Sequence, residues 1–237
     1  MKCLDLTLPT PAANLACDEA LLDACEEQER GELLRFWEPQ VYFVVLGYSN
    51  HVAIEVNGAA CQRENVGIYR RCSGGGTVLQ GPGCLNYSLI LKMDGNDALQ
   101  NIAAANHHIM GRQREALSAL LGRPVRLQGH TDLSLGELKF SGNAQRRKRH
   151  ALIFHGTFLL HFDLSLMEKF LPMPSRQPDY REGRPHRLFL MNLPVTADIV
   201  KSALRQAWSA GSALEILPDY QCLVAEKYSC DDWNLRF

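Results

Sequence analysis

Arg70-Arg71-Cys72-Ser73-Gly74-Gly75-Gly76-Thr77-Val78-Leu79-Gln80-Gly81-Pro82-Gly83-Cys84-Leu85-Asn86-Tyr87-Ser88-Leu89-Ile90 is the most informative stretch of the chain. Gly74, Gly75 and Gly76 have no Cβ, so a ligand can approach the backbone closely and its N–H groups can point at anionic oxygens. Arg70 and Arg71 place fixed positive charge beside that backbone. The pattern suits a carboxylate, a phosphate, or both in one ligand. No Gly-Lys-Ser/Thr closes the glycine run, so it is not a Walker loop, and it lacks the Gly-x-Gly-x-x-Gly order of dinucleotide folds. Ile68 to Arg71 reads as a short strand into this turn and Leu85 to Lys92 as a strand out of it.

Upstream, Thr10-Pro11 reads as an N-cap with proline in the first helical position. Ala13, Cys17, Ala20, Leu21 and Ala24 then recur at helical spacing, predicting an amphipathic helix that ends before Gly31. Leu33 to Trp37 and Val41 to Leu46 read as strands separated at Pro39. Downstream, a helix is predicted from about Ala98 to Leu121, stopped by Gly122-Arg123-Pro124. After Val125 to Leu127 comes a Gly-rich turn, then a β-hairpin with arms Lys139 to Arg147 and Ala151 to Phe162. In the second arm Leu152, Phe154, Phe158, Leu160 and Phe162 alternate with His155, Thr157 and His161, giving a core face and a face free to line a cleft. Pro172 to His186 reads as a loop, and Thr196 as the cap of a last helix. Hairpins interspersed with helices predict an α/β (α+β) fold around a largely antiparallel mixed sheet flanked by helices.

The 237 residues suit one domain, and 46% hydrophobic residues suffice for a core. A formal net charge of -1 gives no global attraction to nucleic acid or an anionic membrane. No apolar run approaches the roughly 18 residues of a membrane span. Asp5 interrupts the N-terminus where a signal peptide needs an apolar core. None of the eight cysteines forms a Cys-x-x-Cys pair, so they read as reduced thiols of a cytoplasmic protein.

A second constellation runs from Asp132 through Lys139-Phe140-Ser141-Gly142-Asn143-Ala144-Gln145 to His155-Gly156-Thr157. A lysine beginning a strand of small residues can neutralise charge on a carboxylate or phosphoryl oxygen. Asp132 is a turn former or a magnesium ligand. The basic run Arg146-Arg147-Lys148-Arg149-His150 reads as a solvated hairpin tip.

These blocks together resemble the lipoate–protein ligase family, within the wider group of biotin and lipoate ligases and octanoyltransferases. The segments that carry the resemblance are Arg-Arg-Cys-Ser-Gly-Gly-Gly-Thr-Val, Gly-Pro-Gly-Cys-Leu-Asn-Tyr-Ser, Lys-Phe-Ser-Gly-Asn-Ala-Gln and His-Gly-Thr-Phe-Leu-Leu. The resemblance implies a catalytic domain similar to class II aminoacyl-tRNA synthetases and biotin ligases. It implies Lys139 as the catalytic lysine, touching both acyl carbonyl and phosphate. Arg70, Arg71, Ser73, Gly74, Gly75, Gly76 and His155 would bind the acyl substrate. Thr77, Val78, Leu79, Gln80, Asp132, Lys139, Ser141, Gly142, Asn143 and Ala144 would bind the nucleotide, with Asp132 helping to hold Mg2+. Tyr42, Val44 and Leu46, or their strand neighbours, would wall the acyl slot.

The implied substrates are ATP and lipoate or octanoate, and the implied protein substrate is a lipoyl carrier domain. Two departures stand out. Gln80 replaces a histidine common in ligases, and residues 217–237 make a short extension where many ligases have a full accessory domain, which implies either a separate accessory protein or a different catalytic cycle. The expected organisation is a single catalytic domain over residues 1–237. An ATP-independent acyltransferase using Cys72 or Cys84 is the alternative, and a non-catalytic acyl or nucleotide sensor is a second.

Overall fold

The computed structural model describes all residues from Met1 to Phe237. The strands are β1 (Lys2–Asp5), β2 (Leu33–Trp37), β3 (Phe43–Leu46), β4 (Gly67–Arg70), β5 (Val78–Gln80), β6 (Cys84–Lys92), β7 (Arg126–Gln128), β8 (Asp132–Leu135), β9 (Leu138–Arg147), β10 (Ala151–Leu159) and β11 (Ser212–Ala213). Eight of them form one mixed sheet in the order β11-β1-β2-β6-β10-β9-β8-β7, and β4-β3-β5 form a second, smaller one. In the large sheet β1 runs parallel to β2 and β11, while the other pairings are antiparallel. The expected α/β class with a largely antiparallel sheet is therefore what the chain adopts.

Both faces of the large sheet are covered, which is why β6 is apolar along most of its length and buried from Cys84 to Leu91. On one face Leu34, Phe36, Leu89, Phe154 and Phe158 pack with Ile109, Met110 and Leu117 of the helix Ile102–Leu121 and with Val200 and Leu204 of the helix Ala197–Ala207. On the other, Leu33, Ile90 and Ile153 meet Cys17, Leu21 and Leu22 of the helix Pro11–Glu26. Each such Leu, Ile or Phe contributes roughly 1.5–3 kcal/mol on leaving water. His155 and Thr157 share the face of Ile153, so the alternation in β10 turns two polar residues towards the side where the Pro11–Glu26 helix lies.

The expected amphipathic first helix is capped by Thr10 Oγ1, which accepts from Ala13 N at 3.1 Å. It is not half-exposed, however, because thirteen of its residues are buried. The segment Gln221–Phe237 covers the side expected to face water: Tyr228 is fully buried against Ala12, Leu15 and Ala16. Its hydroxyl donates to Glu19 at 2.7 Å, and Lys227 pairs with the same carboxylate at 2.6 Å.

The helix expected from Ala98 starts later. A 3-10 turn, Asp97–Leu99, precedes the α-helix Ile102–Leu121, because Asn96 and Asn101 each cap a following backbone N–H and break the run. β10 stops at Leu159, so Phe162 turns away to pack with Val44 and Cys84, and His161 is exposed rather than facing the cleft. β8 is a strand the sequence reading left out. Thr196 precedes its helix without a side-chain cap bond. No helix is long and apolar enough to cross a membrane.

Candidate active site

A cleft of about 980 Å³ opens between the large sheet and the small one, at the upper end of the size range of ligand pockets. Its lining includes Leu15 and Asp18 of the first helix, Trp37, Val45, the glycine turn from Gly76 and all of β5. It also takes in the small residues of β9, His155 and Thr157 of β10, and the loop from Leu171 to Arg181. Of the small sheet's central strand, Val45 faces the cleft with Trp37 and Leu15, whereas Val44 and Leu46 pack outward on Val56 and Ala60. Of the residues expected along the slot, the cleft thus takes the strand neighbour Val45 and not Val44 or Leu46.

Lys139 stands where β8 and β9 meet. Its Nζ lies 2.8 Å from Asp132 Oδ1, and the Tyr180 hydroxyl donates to Asp132 Oδ2 at 2.7 Å. The lysine lies over Gly142, where a Cβ would sit 2.9 Å from Nζ. Gly142 pairs with Thr157 across the ladder, so the ammonium projects over the cleft-facing side of β10. Burial and the neighbouring Asp132 carboxylate push the Tyr180 phenol up, so it stays a neutral donor.

The glycine turn is shaped from within by Arg71. Its guanidinium donates to Gly74 O at 2.6 Å, Gly76 O at 2.8 Å and Val45 O at 3.4 Å. Gly75 adopts a φ of 89°, and its carbonyl comes so near Gly47 that a Cβ there would overlap it. Burial draws Arg71 down to about 10, which leaves it cationic at neutral pH. Arg71 Nε also donates to Ser73 Oγ at 3.0 Å, and Ser73 Oγ is 2.5 Å from His155 Nε2. His155 Nδ1 faces Asp18 Oδ2 at 4.0 Å. Asp18 is buried, bonded to Arg35 at 2.5 Å and to the Ser88 hydroxyl at 2.8 Å. Burial pushes the Asp18 carboxyl up, but Arg35, His155 and Ser88 outweigh it and hold it below the usual range.

Gln80 sits in a closed ring on the floor of the cleft. Gln80 Nε2 donates to Thr157 Oγ1 at 2.7 Å, Thr157 Oγ1 to Asn86 Oδ1 at 2.5 Å, and Asn86 Nδ2 to Gln80 Oε1 at 3.0 Å.

A family profile described as "Lipoyl protein ligase A/B catalytic domain" matches residues 10–204. The chain belongs to this family. Lipoate--protein ligase 1 of Staphylococcus aureus is 32% identical over 161 residues, covering 68% of this chain and 46% of that protein. Octanoyltransferase LipM of Lysinibacillus sphaericus is 26% identical over 264 aligned positions, covering 96% and 95%. With 46% and 49% covered, the chain spans about half the length of the Staphylococcus aureus ligase and of a probable lipoate-protein ligase A of Mycoplasma pneumoniae. A bi-partite archaeal lipoate protein ligase from Thermoplasma acidophilum superposes with a TM-score of 0.81 at 24% identity, covering 99% of this chain and 96% of that one. A lipoate-protein ligase A bound with ATP gives 0.80 at 23%, covering 99% of both chains. These two likenesses concern the fold.

Within this lipoyl-ligase domain, the residues expected at the site fall into two groups. Arg71, Gly76, Thr77, Val78, Leu79, Gln80, Asp132, Lys139, Ser141, Gly142, Asn143, Ala144 and His155 all line the cleft. Four others do not. Arg70 is fully buried, and its guanidinium donates to the carbonyls of Gly47, Tyr48, Asn50 and Trp233. It therefore ties loops together on the far side of the turn instead of meeting a ligand. Ser73 lies behind His155, and Gly74 and Gly75 are exposed on the outer side of the turn.

The basic run is not a solvated tip. Arg146 donates to Cys72 O at 3.1 Å, Arg147 to Leu99 O at 2.6 Å, and Lys148 pairs with Asp23 at 2.7 Å. The Glu26 carboxylate accepts the backbone N–H groups of Arg149, His150 and Ala151.

As residues of the cleft, Asp18, Asn86 and Tyr180, with Arg35 behind Asp18, escaped the sequence reading; the segment from Pro172 was read as a loop, but not as part of the lining. A signal for Asp18 and Arg35 was present: an acid inside an Ala/Leu helix and an arginine inside Leu-Leu-Arg-Phe-Trp are matched buried charges. Tyr180 carried no such mark, because its role depends on a loop folding back over β8.

The donors around Asp132 do not build a resident metal centre. Both of its oxygens are engaged, by Lys139 and Tyr180, and no group of three or more acidic, histidine or cysteine side chains converges anywhere. An Mg2+ ion held with the help of Asp132, as expected, would therefore take most of its ligands from the nucleotide's phosphates and water.

Proposed function

We propose that this lipoyl-ligase domain is an ATP-dependent lipoate–protein ligase. A lipoate (or octanoate) carboxylate oxygen attacks the α-phosphate of ATP, and pyrophosphate leaves. The ε-amine of a lysine on a lipoyl carrier domain then attacks the acyl carbonyl of the adenylate, loses a proton, and AMP leaves. Residues 1–237 act as one catalytic domain with 217–237 as an extension, and a separate accessory protein completes the cycle. The Thermoplasma acidophilum relatives, described as a ligase subunit 1 and as a bi-partite ligase with its lipoyl domain, motivate that last step.

One observation carries the choice of chemistry: Lys139, paired with Asp132, lines the cleft, while no cysteine does. A cation between an apolar slot and open cleft is suited to two anions brought into close approach, a carboxylate and a phosphate. Leu15, Trp37 and Val45 offer the slot for the acyl tail, Arg71 and Gly76 stand beside it, and β9 offers small residues for the nucleotide. The alternative, an acyltransferase working through a cysteine thioester, needs an accessible thiolate. Burial pushes both Cys72 and Cys84 up to about 12, so neither ionises near neutral pH.

The test is an omission series with ATP, lipoate and a lipoyl domain, read by intact mass and pyrophosphate release. We expect product only with all three components. Transfer from an acyl carrier thioester without ATP would overturn the reading.

A further inference from the structure

The buried chain that runs from Arg71 in the glycine turn to Asp18 in the first helix takes no chemical step in the two-step scheme, yet its hydrogens can be counted. Ser73 Oγ accepts one hydrogen bond, from Arg71 Nε at 3.0 Å, so its own proton is free to be donated. The available acceptor is His155 Nε2 at 2.5 Å. For Nε2 to accept, the hydrogen of the neutral ring must sit on Nδ1, and Nδ1 faces the Asp18 carboxylate. Asp18 in turn is fixed by Arg35, whose guanidinium also donates to Asn14 Oδ1 at 2.7 Å and Asn14 O at 2.9 Å, and by Ser88. At 4.0 Å the Asp18–His155 contact is a charge acting on a ring N–H rather than a formed hydrogen bond.

We propose that Asp18 is a positioning residue: its charge selects the His155 tautomer with hydrogen on Nδ1, which makes Nε2 the acceptor for Ser73 and sets the glycine turn in its acyl-receiving form. Of this chain, Asp18 and His155 line the cleft, and Arg71 beyond Ser73 does too. The consequence falls on acyl-acid binding, which rests on the ligase reading above. If the ring flips its tautomer, Ser73 loses its acceptor. The Ser73–His155 bond then reverses: Nε2–H donates to a Ser73 Oγ that already accepts from Arg71 Nε, and the Ser73 proton is left buried without a partner, which weakens the anchor that ties the turn to β10. The nucleotide end, around Lys139 and Asp132, shares no bond with the chain, so ATP binding is left alone.

Two measurements on the full chain test this. First, histidine nitrogen NMR of the wild type, with His155 assigned by its loss in His155→Gln, should show Nδ1 protonated and Nε2 bare. A ring protonated on Nε2, or on both nitrogens at neutral pH, overturns the proposal whatever reaction the protein catalyses. Second, Asp18→Asn keeps the shape and removes the charge, and Arg35 retains its bonds to Asn14. We expect the variant's His155 to shift to a mixture of tautomers. KM for the acyl acid in acyl-AMP formation should rise about 10-fold or more, while KM for ATP stays within about 2-fold, since small displacements of positioning groups are this costly. An unchanged tautomer with an unchanged acyl KM overturns the role, as does an equal loss for both substrates, which marks a merely structural residue. If the wild type forms no acyl-AMP at all, the ligase reading fails while the NMR result still judges the tautomer.

Discussion

At the scale of the single residue, the site separates groups that line the cleft from groups that hold the protein together. Lys139 is half-buried with one flexible stem, so Lys139→Ala removes a charge and little packing. We expect acyl-AMP formation to fall at least about 100-fold with no change in thermal midpoint, in line with losing a donor aimed at developing charge. Full activity in that variant would end its catalytic assignment. The neighbouring arginines in Arg70-Arg71 divide in the opposite way from what their adjacency suggests. Arg70→Ala leaves buried carbonyls without donors and should cost about 3 kcal/mol of stability, read by urea denaturation, and that loss of stability is its main effect.

The cysteines give a third check. With burial lifting Cys72 and Cys84 to about 12, iodoacetamide on the native protein should label exposed Cys222 and spare both. Modification of Cys84 accompanied by loss of turnover would restore the thioester route. The sequence made Lys139, Arg71 and the β9 glycine legible because each belongs to a spaced motif. It could not separate Arg70 from Arg71, since strand pairing decides which of two successive side chains faces the cleft.

At the scale of the element, the β9–β10 ladder positions the chemistry through what its glycines leave empty. A Cβ on Gly142 would meet Lys139 Nζ at 2.9 Å, the far end of a mobile side chain. A Cβ on Gly156 would instead overlap Asn143 Oδ1 and approach the Gly142 carbonyl at 2.9 Å. Asn143 is itself pinned by the Tyr87 hydroxyl at 2.6 Å and Thr131 O at 2.6 Å. Gly142→Ala should therefore fold normally but displace the lysine, lowering adenylation. Gly156→Ala should lose about 1–3 kcal/mol of stability through overpacking. Calorimetry beside a pyrophosphate assay distinguishes the two, and the reverse pattern would contradict this account of the ladder. The hairpin was readable from alternation in Leu152 to Phe158. Its end was not, because β10 stops where Leu160 and His161 donate to Gly83 O, a contact 77 or more positions away in sequence.

At the scale of the whole molecule, the last seventeen residues and the cleft share one wall. Tyr228 is buried in the same cluster as Leu15, Trp37 and Val45, and these three line the cleft. The Trp233 indole donates to Arg70 O at 2.8 Å, and Asn234 Oδ1 accepts from Arg70 N at 2.9 Å, so the segment also braces the strand that enters the glycine turn. Periodicity in Ala13 to Ala24 showed a helix but not this second covering, since the covering comes from residues about 200 positions later. Tyr228→Ala should cost about 3–5 kcal/mol, as for other large aromatic truncations in a core. Tyr228→Phe, which keeps the ring and loses the bond to Glu19, should cost about 1 kcal/mol. Because the ring supports the back of the proposed acyl slot, the alanine variant should, on the ligase reading, also raise KM for the acyl acid more than KM for ATP when assayed well below its midpoint. Equal changes in both constants would mean that the tail stabilises the domain as a whole and does not shape the acyl slot.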